Sequence, residues 1–142
     1  MISHCDKLEL LPNGLYDLSS LINLYLDYCP FLTAFPEGGL PTTLRLLWIE
    51  ECYNLRLLPE KMHILTSLQE LKVKNFPLLV KFPEEGLPNS LKLLEITGCE
   101  ILQLSPAKVL HKLALLGDLV INGCPGVMSS LKEECLLPAN LE

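Results

Sequence analysis

Apolar positions along the chain fall into one recurring phrase: a leucine, a second leucine three residues on, an aliphatic residue two further, and usually a cysteine three beyond that. It reads Leu21-x-x-Leu24-x-Leu26-x-x-Cys29, Leu44-x-x-Leu47-x-Ile49-x-x-Cys52, Leu68-x-x-Leu71-x-Val73-x-x-Phe76, Leu91-x-x-Leu94-x-Ile96-x-x-Cys99 and Leu116-x-x-Leu119-x-Ile121-x-x-Cys124, with Ile2-x-x-Cys5 as a truncated first copy. Successive first leucines lie 23, 24, 23 and 25 residues apart. Within each phrase the alternation of apolar and polar positions predicts a strand of about five residues with one face inward. The inward pairs are Leu24/Leu26, Leu47/Ile49, Leu71/Val73, Leu94/Ile96 and Leu119/Ile121. A further inward residue follows each cysteine position (Leu8, Leu32, Leu55, Leu79, Leu102, Val127), and an apolar-Pro step then turns the chain at Leu11-Pro12, Phe35-Pro36, Leu58-Pro59 and Phe82-Pro83, with Ser105-Pro106 as a weaker copy.

The segments between strands alternate in kind, giving a two-repeat period of 47 residues (Cys5 to Cys52, Cys29 to Phe76, Cys52 to Cys99). Odd copies carry apolar residues at i, i+3 and i+6, as in Leu15/Leu18/Leu21, Met62/Leu65/Leu68 and Leu110/Leu113/Leu116, which predicts a short helix or 3₁₀ turn. Even copies carry Gly39-Leu40-Pro41, Gly86-Leu87-Pro88 and the more degenerate Leu136-Leu137-Pro138, where proline predicts extended, turn-rich backbone. Self-similarity at this period and spacing is the signature of a leucine-rich repeat. The predicted fold is an α/β solenoid of about six repeats, with short parallel strands on the concave face and alternating short-helical and extended proline-rich segments on the convex face. Residues 1–142 form a single array. Met1 enters mid-repeat and Leu141-Glu142 begins a further phrase, so the expectation is an uncapped fragment of a longer protein.

Composition fits this picture. Hydrophobic content of 49% and mean hydropathy of +0.33 reflect coils that each bury several aliphatic side chains. Charge or proline interrupts every apolar run before the roughly 18 residues of a membrane span, and the first ten residues lack a signal-peptide core. Net charge is −6, which disfavours a nucleic-acid groove. Residues 1–60 hold eight acids and three bases (net −5), against nine and eight (net −1) in residues 61–142. That asymmetry suits either a solvated surface or a charge-complementary partner for the acidic half.

Candidate chemistry is sparse. Five of the six cysteines (Cys5, Cys29, Cys52, Cys99, Cys124) share one repeat position, and Phe76 occupies it in the remaining copy. A buried apolar column accepts phenylalanine, whereas a metal or redox column does not, so reduced thiols in a reducing compartment are expected. No Cys-x-x-Cys pair suggests zinc. Cys135 lies outside the column. His4, His63 and His111 fall at three different repeat positions, and the pairs Glu50-Glu51, Glu84-Glu85 and Glu133-Glu134 read as solvated charge. There is no phosphate-binding Gly-x-x-x-x-Gly-Lys-Ser/Thr loop. The expectation is a non-enzyme with no cofactor and no metal.

What remains is the outward face of the sheet. Its central column reads Met1, Tyr25, Trp48, Lys72, Glu95, Val120 and the next reads Ser3, Asp27, Glu50, Lys74, Thr97, Asn122, with Tyr28, Glu51, Tyr53 and Glu70 around them. Aromatic residues with a polar handle are what interface hot spots use. Tyr25, Asp27, Tyr28, Trp48, Glu50, Glu51, Tyr53, Glu70, Lys72, Lys74 and Glu95 are therefore the candidate protein-binding residues; lateral packing of Tyr25, Trp48 and the Lys72 stem is the competing explanation.

The phrase at residues 21–32, together with the returns Phe35-Pro36-Glu37-Gly38-Gly39-Leu40-Pro41 and Phe82-Pro83-Glu84-Glu85-Gly86-Leu87-Pro88, resembles the leucine-rich-repeat region of plant intracellular disease-resistance proteins, which are coiled-coil, nucleotide-binding, leucine-rich-repeat immune receptors. The Asn-x-Leu-x-Gly-x-Ile-Pro phrase of the extracellular receptor-kinase type is absent, as is any Asn-x-Ser/Thr glycosylation site, in keeping with a cytoplasmic location. The resemblance implies a protein partner: a pathogen effector, a guarded host protein or the receptor's own nucleotide-binding domain. It also implies a part in autoinhibition; no nucleic-acid or membrane partner is expected, from the net charge and the interrupted apolar runs above. Two other readings are open, the substrate-selecting array of a ubiquitin-ligase receptor and a stand-alone truncated repeat protein.

Overall fold

The computed structural model describes residues 1–83, 85–103 and 110–134. Six strands form one parallel sheet in chain order: β1 (Ile2–Ser3), β2 (Asn23–Asp27), β3 (Leu46–Glu50), β4 (Glu70–Lys74), β5 (Leu93–Thr97) and β6 (Asp118–Asn122). The chain is a leucine-rich-repeat-type solenoid, each coil of about 24 residues supplying one strand. Its register matches the sequence phrase position for position: Leu24 pairs with Leu47, Leu47 with Leu71, Leu71 with Leu94 and Leu94 with Leu119.

Repetition of the apolar phrase produces a continuous core. Leu47, Ile49, Leu71, Val73, Leu94 and Ile96 are completely buried, and no described polar or charged residue is. Each such aliphatic side chain contributes roughly 1.5–3 kcal/mol through removal from water. In β6 the inward Leu119 and Ile121 are only half-buried, because no described strand follows to cover them.

Return segments follow the two predicted kinds. In odd copies each leucine closes a turn on the apolar residue three before it: Leu18 N–H donates to Leu15 O and Leu21 to Leu18, Leu65 to Met62 and Leu68 to Leu65, Leu113 to Leu110 and Leu116 to Leu113. The i, i+3, i+6 spacing is thus the spacing of successive three-residue turns. Two of these stretches contain 3₁₀ helices, Asn13–Asp17 and Met62–Ile64, while residues 110–116 are turns without helix. Even copies are irregular around Gly39-Leu40-Pro41 and Gly86-Leu87-Pro88. There Thr43 Oγ1 donates to Leu21 O at 2.8 Å and Ser90 Oγ to Leu68 O at 2.6 Å, so hydroxyls 47 residues apart fasten each coil to its predecessor.

One element differs from expectation. Helix α1 (Pro125–Glu134) begins where the other coils make a tight turn after the cysteine position. Proline is favoured at a first helical position, and a Cβ on Gly126 would lie 2.7 Å from Leu102 O, so glycine there lets the helix start seat on the preceding coil. Val127 is fully buried, as its repeat position predicted. Glu84, Ser105-Pro106, Cys135, Leu136-Leu137-Pro138 and Leu141-Glu142 lie outside the described residues.

After every strand the chain passes through the left-handed region, at His4, Tyr28, Glu51, Asn75, Gly98 and Gly123, with φ between 50° and 69°. The amide of each of the first five donates to the last strand residue of the next coil, as Tyr28 N–H to Glu50 O at 3.0 Å. At Gly98 (φ +69°) a Cβ would meet Asn75 Oδ1 at 2.5 Å and Asn75 Cα at 3.3 Å, whereas at Gly123 (φ +62°) the nearest atoms stand 3.5 Å away. Gly123→Ala is therefore expected to lose about 1–2 kcal/mol from left-handed strain alone. Gly98→Ala should lose clearly more, and equal losses in urea titration would refute the crowding.

Candidate functional site

Strand alternation aims Tyr25, Asp27, Trp48, Glu50, Glu70, Lys72, Lys74 and Glu95 out of the concave face. Tyr25 pairs with Trp48, Trp48 with Lys72 and Lys72 with Glu95, while Asp27 pairs with Glu50 and Glu50 with Lys74. All eight are half-buried by one another.

Trp48 is the hub. Its ring centroid lies 5.8 Å from that of Tyr25 at an interplanar angle of 46°, and the Nζ atoms of Lys72 and Lys74 approach it to 4.9 and 5.1 Å. Both cations use the negative face of the aromatic ring. The indole Nε1–H donates to Glu50 Oε2 at 3.1 Å. Lys74 Nζ also pairs with Glu95 Oε1 at 3.2 Å, and Lys72 Nζ reaches Glu70 Oε2 at 3.9 Å. The side chains cover one another laterally, and that packing fixes a ridge of aromatic and charged groups on an open face.

Tyr28, Glu51 and Tyr53 belong to the rim at the C-terminal ends of the strands rather than to the sheet face. Tyr28 and Glu51 are turned there by the left-handed step, and Tyr53 follows the cysteine position of the next coil. The Tyr28 ring stands edge-on to Tyr53 (6.2 Å, 89°) and lies 5.4 Å from the ring of His4. A row of three rings thus crosses three coils. His4 had no assigned role in the sequence, although its spacing of 24 residues from Tyr28, one repeat, is the signal that places it here. The Tyr53 hydroxyl is held above its ordinary range, by desolvation first and then by the Glu51 carboxylate and Tyr28.

The cysteine column lies behind the sheet and takes no part in this face. Cys5, Cys29, Cys52, Cys99 and Cys124 are all reduced, and each thiol donates to the carbonyl two residues earlier, closing the strand end. Burial pushes the Cys52 and Cys99 thiols up to about 12 and raises Cys29 as well. Such thiols hold almost no thiolate near neutral pH and are poor nucleophiles.

Open grooves of about 400 and 540 Å³ lie on the flank where the chain descends from the sheet, floored by core residues such as Leu58 and Phe82. On that flank His63 Nε2 pairs with Glu85 Oε2 at 2.8 Å. Among the described residues no three His, Cys, Asp or Glu side chains converge as a metal site, and no helix is long and apolar enough to cross a membrane. No protein-family model matches the chain, and no curated protein matches it significantly.

Proposed function

We propose that this array is a protein-recognition scaffold, and that in its native setting it is the leucine-rich-repeat portion of a plant intracellular immune receptor, contributing to recognition of a pathogen effector or guarded host protein and to autoinhibition. One observation carries the scaffold reading: a preorganised row of aromatic and charged side chains, Tyr25, Trp48, Lys72 and Glu95, stands on a sheet face that no other described element covers. Side chains already held in place lose little further freedom when a partner docks. The receptor assignment is supported by the repeat phrase and the Phe-Pro-Glu-x-Gly-Leu-Pro returns.

A photocrosslinking aromatic residue replacing Tyr25, with a control at the exposed Leu115 on the back turns, tests the scaffold reading in extract of the source tissue. Crosslinks are expected from position 25, competed by excess wild-type protein but not by Trp48→Ala. Equal labelling from both positions would overturn the face assignment. Trp48→Ala should leave the fold intact, whereas Leu47→Ala, one residue away and fully buried, should cost roughly 2–5 kcal/mol. Immunoblotting the native polypeptide tests the receptor assignment: a band on the order of a multidomain receptor supports it, and a band only near 15.9 kDa overturns it.

A further inference from the structure

We infer that the rim of the first three coils, where Tyr28 and Tyr53 stand beside Asp27 and Glu51, docks an arginine-bearing segment of a protein partner. This inference rests on the scaffold reading above and specifies the chemistry that the face selects.

Charge complementarity supports it. The two lysines of the adjacent strand β4 are already engaged: Lys74 pairs with Glu95 and Lys72 with Glu70, and both lie over Trp48. Glu50 accepts the Trp48 indole hydrogen. The carboxylates of Asp27 and Glu51 have no ion pair or hydrogen bond among the described residues, so this stretch of the sheet presents uncompensated negative charge. The same half of the chain carries the net charge of −5.

The rings determine which cation fits. Tyr28 and Tyr53 are among the exposed large side chains, and their edge-to-face contact fixes them at a right angle. An aromatic face beside a carboxylate suits a planar guanidinium, which stacks flat on the ring while its fork donates two parallel hydrogen bonds to the acid; the compact, strongly hydrated lysine ammonium engages each only as a point charge. Asp27 ends β2 and Glu51 follows its register partner Glu50 at the end of β3, so the two acids stand at neighbouring strand ends of adjacent coils.

The test uses the full chain and a fluorescein-labelled Gly-Arg-Gly-Arg-Gly peptide, with lysine and citrulline counterparts, read by anisotropy and by amide shifts in NMR. The arginine peptide should bind about tenfold or more tightly than the uncharged citrulline peptide, the fold-change of one charge-assisted pair, and more tightly than the lysine peptide. Shifts should centre on residues 27, 28, 51 and 53. Asp27→Asn with Glu51→Gln should abolish the preference for arginine, and Tyr28→Leu should remove the advantage over lysine. A charge-matched control, Glu37→Gln with Glu60→Gln, should leave binding unchanged. Equal weakening by the control would show attraction to net charge alone and overturn the inference, as would shifts confined to other surfaces or no discrimination among the three peptides. Photocrosslinking from position 25 that persists when the arginine peptide shows no preference would sink only this inference; loss of that crosslinking would sink the scaffold reading itself.

Discussion

Phe76→Ala is expected to destabilise the protein by about 3–5 kcal/mol, the cost of emptying a large aromatic site in a close-packed core. Phe76 is fully buried and heads the largest side chains in the core. It replaces cysteine in a column whose other members are small, and the same coil carries Val73 where the others carry Leu26, Ile49, Ile96 and Ile121. The smaller valine in the coil with the larger phenylalanine points to volume compensation within one layer. Val73→Ile alone should then overpack the layer and cost about 1–3 kcal/mol. Phe76→Cys should be strongly destabilising, and adding Val73→Ile to it should recover part of the loss. Chemical denaturation of the two single variants and the double variant measures this coupling. Strict additivity would show that the two positions do not share space.

Alkaline pH is expected to unfold the protein through its buried thiols. The sign follows from which form the core tolerates. Burial holds Cys52 and Cys99 in the neutral form, raising them from 9.0 to about 12, whereas the unfolded chain releases their protons near the ordinary value. Their contribution is fully present below pH 9 and is lost as pH rises through the window from 9 to about 12, where the unfolded state binds fewer protons than the folded one. By the top of that window the two sites together withdraw on the order of several kcal/mol, to be set against a typical folding free energy of about 5–15 kcal/mol. Urea midpoints at pH 8, 10 and 11 should fall steeply for the wild type. The fall should be shallower for a Cys52→Ala, Cys99→Ala double variant, even though that variant begins less stable. Parallel slopes would assign the alkaline transition to other groups.

The two substitution sets probe what the sequence disclosed most clearly. Inward positions such as Leu47, Leu71 and Leu94 could be named because alternation within a strand is local and the repeat length is nearly constant; the pairing register then follows from aligning the copies. The cysteine column was legible for the same reason, with Phe76 as the sign that the column is apolar. Helix α1 was not legible. Its first turn occupies the place of the Cys-Pro-x-Leu step used by the second coil, and Pro125-Gly126 reads equally well as a turn or as a helix start.

The candidate site divides along the same line. That Tyr25, Trp48, Lys72 and Glu95 share one column was readable, because each stands at the same offset in its repeat. Which of them interact was not. Lys74 could have paired with its register neighbour Glu50, yet it reaches across to Glu95 while Glu50 takes the indole hydrogen. That choice depends on side-chain packing between coils some 24 residues apart.

By itself the sequence determined the coil, the strand, the inward set and the outward columns of the sheet face, because all of these follow from short-range periodicity repeated along the chain. Only the tertiary structure decided that the chain turns left-handed after each described strand, that Tyr28 and Tyr53 meet at the rim with His4, and that Asp27 and Glu51 have no cation partner among the described residues. Those features arise when coils stack and each side chain settles against a neighbour distant in the chain, a competition among partners that no single repeat encodes.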